Sequence, residues 1–309
     1  MKTHILLIFI LLTTSIFAQT ETDVVLETST GDIKGKLLLP KDNETKTVVL
    51  IISGSGPTDM DGNNEVMKNN SLKMVAEELQ KNGIASLRFD KRGVGKSQHA
   101  IRSEKEMRFD DYVQDVQGWV DLLAEDERFE KLVILGHSEG SLLGAVASQS
   151  PEVDKFISVA GAGRPAVEIL KEQMEHQPDE VKVPAFPILD ELAKGNLVDS
   201  IPPILFAVFR PSVQPYIISW FKYDPVVEFS KLKQPILIIQ GTTDIQIGLT
   251  DAEKLLSANK NGKLMIIEGM NHVLKELSDE YSENVATYNN PTLKLNDELM
   301  EGIVEFIVE

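Results

Sequence analysis

The stretch VILGHSEGSLLGAVAS, Val133 to Ser148, runs from apolar residues through Gly-His-Ser-Glu-Gly into an apolar-periodic segment. Polar groups between a buried strand and a helix must be satisfied or kept exposed for use. Gly-x-Ser-x-Gly is a modest signal by itself, so its flanks decide. LVIL before it reads as a strand and the segment after it as a helix. Ser138 is therefore expected on a strained strand-to-helix elbow, its Oγ above the carboxyl end of a sheet. Gly136 and Gly140 keep side chains out of the turn. A serine at a helix start can also be a plain N-cap, and only partners elsewhere in the chain separate the two readings.

A serine hydroxyl is a poor nucleophile until a base takes its proton. Of the five histidines, His4 lies in the N-terminal segment expected to be removed as a signal, and His137 adjoins Ser138 and points away. His99 falls in the loop after RGVGKS, and His176 in a Pro-rich stretch that shows no strand pattern. His272 remains, after LMIIEGMN, a strand and a glycine turn. Asp244 follows PILIIQGTT in the same relation to the strand before it. The order Ser, Asp, His with each residue at the carboxyl end of a strand fits a triad. An oxyanion needs N–H donors. One is the N–H of Glu139, after the nucleophile. The other is assigned to Ser55, between Gly54 and Gly56 in LIISGSGPTDMDGN. That loop could also be a simple glycine turn. No Gly-Lys-Ser/Thr ends it as a phosphate cradle would, and Gly62 comes too early for a calcium loop. No metal or organic cofactor is expected.

DVVLETSTGDIKGKLLLP, Asp23 to Pro40, reads as a hairpin about Ser-Thr-Gly-Asp. TVVLIIS, IASLRF, KLVILG, KFISVA, PILIIQG and KLMIIEG read as strands buried on both faces. Helices are expected over Ser71–Gly83, with Ser71 as N-cap, and over Asp110–Ala124, Ser138–Ser148, Asp251–Ala258 and Leu295–Val308. This alternation predicts an α/β fold with a mainly parallel central sheet flanked by helices. It lapses over residues 164–230, which offer helices only. NVATYNNPTLKLN, Asn284 to Asn296, reads as a surface loop. Asp90 and Arg92 in RFDKRGVGKS read as a structural turn.

The 309 residues carry a net charge of −17 and no cysteine. The charge argues against a nucleic-acid partner, and the missing cysteines exclude disulfides, thiol nucleophiles and thiolate metal sites. MKTH, then ILLIFILLTTSIF, then Ala18 read as a signal peptide over residues 1–18. The run from Ile5 to Leu12 is too short for a membrane span. An exported protein, periplasmic or secreted and without stable membrane insertion after signal removal, is expected.

With elbow serine, downstream acid and late histidine in order, the chain resembles the α/β-hydrolase family from Val48 to the C-terminus. SGSGPTDMDGN, RFDKRGVGKS, GHSEG, WFKYDP, QPILIIQGTTDIQI and GMNH are similar to motifs of its exported bacterial esterase-like branch. The resemblance implies Ser138 as nucleophile, His272 as general base and acid, and Asp244 as the orienting carboxylate. Ser53-Gly54 stands where the family usually has His-Gly. The resemblance also implies a core of residues 19–163 and 231–309 with a cap inserted at 164–230. Phe206, Phe209, Tyr216, Trp220 and Phe221 there suit an apolar lid or mere packing. The function implied is carboxylic ester hydrolysis of a small-molecule ester or acyl substrate through an acyl-enzyme on Ser138. Two alternatives stand beside it: a peptidase whose Glu139 side chain reads a substrate amine, and a non-catalytic binding protein of the same fold. The Glu139 side chain is open between that role and simple solvation.

Overall fold

In a computed structural model the chain is described over residues 21–41, 45–277 and 281–309; the expected signal peptide lies outside the described residues. The hairpin forms as β1 (Glu21–Thr28) and β2 (Gly31–Leu38), with Thr28 opposite Gly31 at the turn. β3 (Thr47–Ile52), β4 (Ala85–Phe89), β5 (Lys131–His137), β6 (Lys155–Val159), β7 (Ile236–Gly241) and β8 (Gly262–Ile267) complete one eight-stranded sheet. Its order is β1-β2-β4-β3-β5-β6-β7-β8. β2 meets β1 and β4 antiparallel, and every pairing from β4 to β8 is parallel.

The uninterrupted apolar strands make sense from their two faces. Side chains alternate across a strand, so β3 sends Val48, Leu50 and Ile52 to one side and Val49 and Ile51 to the other. β5 and β7 divide in the same way. The first side is covered by α2 (Phe109–Ala124), α3 (Glu139–Ala147), α8 (Pro225–Ser230) and α9 (Leu249–Ala258). The second is covered by α1 (Ser71–Lys81) and α11 (Asp297–Val308). Both faces of the central strands are thus dry, as a parallel sheet requires, whereas KLMIIEG is not buried on both faces as expected: as β8 it lies at the sheet edge, with Ile266 40% exposed.

Between β6 and β8's partner β7 the chain also forms α4 (Ala166–Glu175), α5 (Asp179–Ala193), α6 (Phe206–Phe209) and α7 (Gln214–Trp220). Residues 164–230 contain no strand, and α5, α6 and α7 bury Leu189, Leu192, Phe209 and Ile217 in a small core of their own.

Two local expectations are corrected. Ser71 is the first residue of α1 rather than its N-cap. Asn70 takes that position at φ 55°, while the Asn69 side chain accepts the Ser71 N–H and the Asn63 side chain accepts those of Asn69 and Asn70. Asn284 to Asn296 is not simply a surface loop: Asn284 to Thr287 belong to α10 (Tyr281–Thr287), and Asn284, Thr287 and Asn296 are buried. Asn284 and Thr287 are hydrogen-bonded inside the protein, as described below, and Asn296 caps α11 by accepting the Glu298 N–H, which makes burial of so polar a segment tolerable.

Phe156 on β6 is fully buried and meets Phe229 of α8 edge-on at 5.5 Å. Phe156→Ala should lower the unfolding free energy by about 3–5 kcal/mol, seen as a lower urea midpoint at unchanged slope.

Candidate active site

Ser138 stands between β5 and α3 with φ 56° and ψ −120°. Non-glycine residues in such regions cost of order 1–3 kcal/mol and persist only where their surroundings over-determine them. Here the surroundings do. The Ser138 N–H donates to the Val159 carbonyl at 3.0 Å, and its own carbonyl accepts from Ser141 at 2.9 Å. A Cβ on Gly136 would strike the Gly140 carbonyl, and one on Gly140 would strike the carbonyls of Ile52 and Ser53. The elbow therefore closes only with glycine on both sides of the serine.

Asp244 lies just beyond β7. Its Oδ2 accepts the Nδ1–H of His272 at 2.8 Å and the Gln240 side-chain amide at 3.1 Å. Its Oδ1 accepts the N–H groups of Gln246 and Ile247 at 2.8 and 3.0 Å. Burial alone would raise this carboxyl, but His272 and the two backbone donors outweigh it and hold it below the usual carboxylate value. With Nδ1 turned to Asp244, Nε2 of His272 is the nitrogen left to accept a proton.

Ser138 and His272 line one cavity of about 80 Å³ together with Gly54, Ser55, Thr58 and Tyr288. On the other side of Ser138 lies a second cavity of about 60 Å³, walled by Leu142, Ile169, Leu170, Trp220, Pro225 and Ile247. Ser55 and Gln246 line both. Glu139 opens α3, so its N–H has no intrahelical acceptor. All five residues singled out in the sequence thus fall on one edge of the sheet: Asp244 and His272 in direct contact, Ser138 and Ser55 on the same cavity wall, Glu139 next to the elbow.

The Glu139 side chain is neither solvated nor free. It is 5% exposed and accepts a hydrogen bond from the Tyr216 hydroxyl of α7. Lys91 lies 3.8 Å away, also buried. Asp90 accepts the N–H groups of Met60 and Lys96, and Arg92 pairs with Asp115, so both serve the turn as expected. In the DMDGN loop, Asp59 accepts from Asp61 and Asn63, and Asp61 pairs with Arg88. Of the five aromatic residues noted in residues 164–230, Phe209 is fully buried in the small core of α5, α6 and α7 and Phe206 is exposed, while Trp220 faces the second cavity.

Three supports went unread in the sequence. Lys91, flanked by Asp90 and Arg92 in a loop, looks like surface. Asn271 accepts the Lys275 N–H and donates to Asn284 and Thr287, while Asn284 donates to the Thr243 carbonyl, so α10 ties the histidine loop to the aspartate loop. His137, set aside as a base, donates its Nε2–H to the His272 carbonyl at 2.8 Å. Its place directly before the elbow serine was the only available signal.

The match to solved structures agrees with this architecture. Est1E from Butyrivibrio proteoclasticus, in a structure with ferulic acid bound, superposes with a TM-score of 0.64 at 19% identity, over 93% of this chain and all of that one. Esterase Pf2001 of Pyrococcus furiosus gives 0.61 at 18% identity, over 94% and 91%. Residues 62–199 match a family model described as serine aminopeptidase, S33. The chain has the α/β-hydrolase fold. It is also 27% identical over 251 residues to esterase EstD of Thermotoga maritima; the match covers 78% of this chain and 58% of that protein's length, so the chain spans less than two thirds of this relative. The family match includes Ser138 but ends before Asp244 and His272, whose pairing rests on the hydrogen bond described above.

Burial and the neighbouring His272 push the His137 imidazole down to about 4, from an ordinary value of 6.5, against the opposing pull of its bond to the His272 carbonyl and of Asp244. Between those two pH values the unfolded chain binds a proton here that the folded chain refuses. Stability therefore rises with pH through the window and falls on acidification, by up to about 1.4 kcal/mol per pH unit. His137→Gln should show a shallower fall when urea unfolding is measured across that range.

Proposed function

We propose that the protein is a serine hydrolase acting on carboxylic esters with short acyl groups. The observation that carries this is the His272–Asp244 hydrogen bond of 2.8 Å, set in the wall of the cavity that Ser138 lines from its strained elbow. In this reading His272 Nε2 takes the Ser138 proton as Oγ attacks the acyl carbon, and Asp244 steadies the imidazolium. The N–H groups of Ser55 and Glu139 receive the oxyanion. His272 then gives its proton to the departing alkoxide, an acyl-enzyme remains, and water, activated by the same imidazole, releases the acid. No metal or organic cofactor takes part in these steps.

Because His272 must protonate the leaving group, the alcohol belongs in the cavity it lines, which leaves the apolar cavity for the acyl chain. Its volume of about 60 Å³ is several times the roughly 10–15 Å³ in which one water fits and suits a chain of a few carbons. Residues 164–230 would then act as a cap, since Ile169, Leu170, Trp220 and Pro225 supply much of that wall. The peptidase reading has the family model's description in its favour. The engagement of the Glu139 carboxylate by Tyr216 and Lys91 leaves it poorly placed to read a substrate ammonium, so the ester reading is preferred. The apolar N-terminal stretch ending at Ala18 supports export of the mature chain.

A panel of p-nitrophenyl esters and aminoacyl-p-nitroanilides, run on wild type beside Ser138→Ala, tests this. Acetate to butyrate esters should turn over fastest, octanoate at least ~10-fold more slowly, and the anilides hardly at all. Ser138→Ala should lose at least ~10³-fold in kcat with its fold intact. Equal turnover by both proteins removes the nucleophile, and anilides outrunning esters make it a peptidase.

A further inference from the structure

Lys91 is a charge without an obvious reason to be where it is. Its side chain is 1% exposed, in a loop just beyond β4, and a buried ammonium is tolerated only if paired and hydrogen-bonded. Its Nζ donates to the carbonyl of Gly54, lies 3.8 Å from the Glu139 carboxylate and sits 5.2 Å above the Tyr112 ring. The other Glu139 oxygen accepts from Tyr216 of α7. Glu139 also occupies the first turn of α3, where the helix dipole favours a carboxylate.

The Gly54 carbonyl shares one peptide group with the Ser55 N–H. That group is planar and trans, so its C=O and N–H point in opposite directions. A donor that fixes the carbonyl on one side therefore fixes the N–H on the other. We propose that Lys91 is a positioning residue of the oxyanion hole, which by holding the Gly54 carbonyl aims the Ser55 N–H at the oxygen that forms beside Ser138. The inference rests on the serine-esterase reading and extends it. The same ammonium polarises the peptide and so strengthens its N–H as a donor. Glu139, whose own N–H is the second donor, is the counter-charge that lets Lys91 stay buried. Lys91, from the loop after β4, thus bridges the two loops that carry the two donors, by its ion pair with Glu139 and its hydrogen bond to Gly54, and Tyr216 of α7 bonds to the same carboxylate.

A lysine that merely neutralised Glu139 would affect stability and leave transition-state binding alone. The test therefore compares two ligands on wild type and Lys91→Met. A short-chain alkyl trifluoromethyl ketone adds the Ser138 Oγ across its carbonyl, giving a hemiketal whose oxygen sits in the hole while His272 holds the proton. The corresponding alcohol product, which carries no carbonyl oxygen, binds without one. Removing an oxyanion donor costs about 10²–10³-fold in kcat, and misdirecting one should cost roughly 10–100-fold. Lys91→Met is expected to lose that factor in kcat at little-changed KM and in ketone affinity alike, with product affinity within about 2-fold and the hemiketal resonance in ¹⁹F NMR weakened. If Lys91→Met does not fold, Lys91→Gln, which keeps a shorter neutral donor, should show the same pattern with a loss of about 3–10-fold. A folded variant with kcat and ketone affinity within about 2-fold of wild type overturns the proposal, as does an equal loss of ketone and product binding. A wild type that forms no hemiketal overturns the esterase reading along with it.

Discussion

The backbone of Ser138 is held in a conformation that L-residues avoid, and the carboxyl edge of the sheet is organised around keeping it there. At φ 56° and ψ −120° the residue cannot relax, because α3 leaves β5 so sharply that Gly140 lies against the carbonyls of Ile52 and Ser53. β3 and β5 pair in parallel register up to Ile52 opposite Gly136. The dry packing of these central strands on both faces supplies the rigidity that the elbow draws on. The strain is the means by which a hydroxyl is raised out of a sheet edge into a cavity.

Around that elbow the protein buries polar groups that a core built for stability alone would exclude. The side chains of Asp244, His272, His137, Glu139 and Lys91 are all under a tenth exposed. Each is oriented by at least one further contact, often from another loop. His137 reaches across to the His272 carbonyl, Asn271 to α10, Lys91 to the Gly54 carbonyl. Groups fixed in this way need little reorganisation when charge develops, which is where electrostatic catalysis gains most. The arrangement also couples the loops: a shift of α7 that moved Tyr216 would be felt at Glu139.

The strands were legible because burial on both faces removes polar residues from them, leaving TVVLIIS and PILIIQG unmistakable. The elbow was legible because only glycine fits on either side of Ser138, and the order Ser138, Asp244, His272 followed from three strand ends. What escaped were supports whose partners are distant in sequence. Lys91 pairs with Glu139, which no periodicity reveals, and a lysine between Asp90 and Arg92 carries the composition of a surface turn. Asn284 and Thr287 look like loop residues until Asn271 is seen to need both. Ser71 has the chemistry of an N-cap, but Asn70 takes that position, and the Asn69 side chain accepts the Ser71 N–H.

The account stands or falls on one hydroxyl being activated by one imidazole above a single sheet edge. Reaction with a p-nitrophenyl alkylphosphonate, followed by peptide mass spectrometry, tests this most directly. Stoichiometric release of nitrophenol with the phosphonyl group on the peptide containing Ser138, and much slower labelling of His272→Ala, is the predicted result. Folded protein that stays unmodified, or carries the group on a different residue, would contradict it.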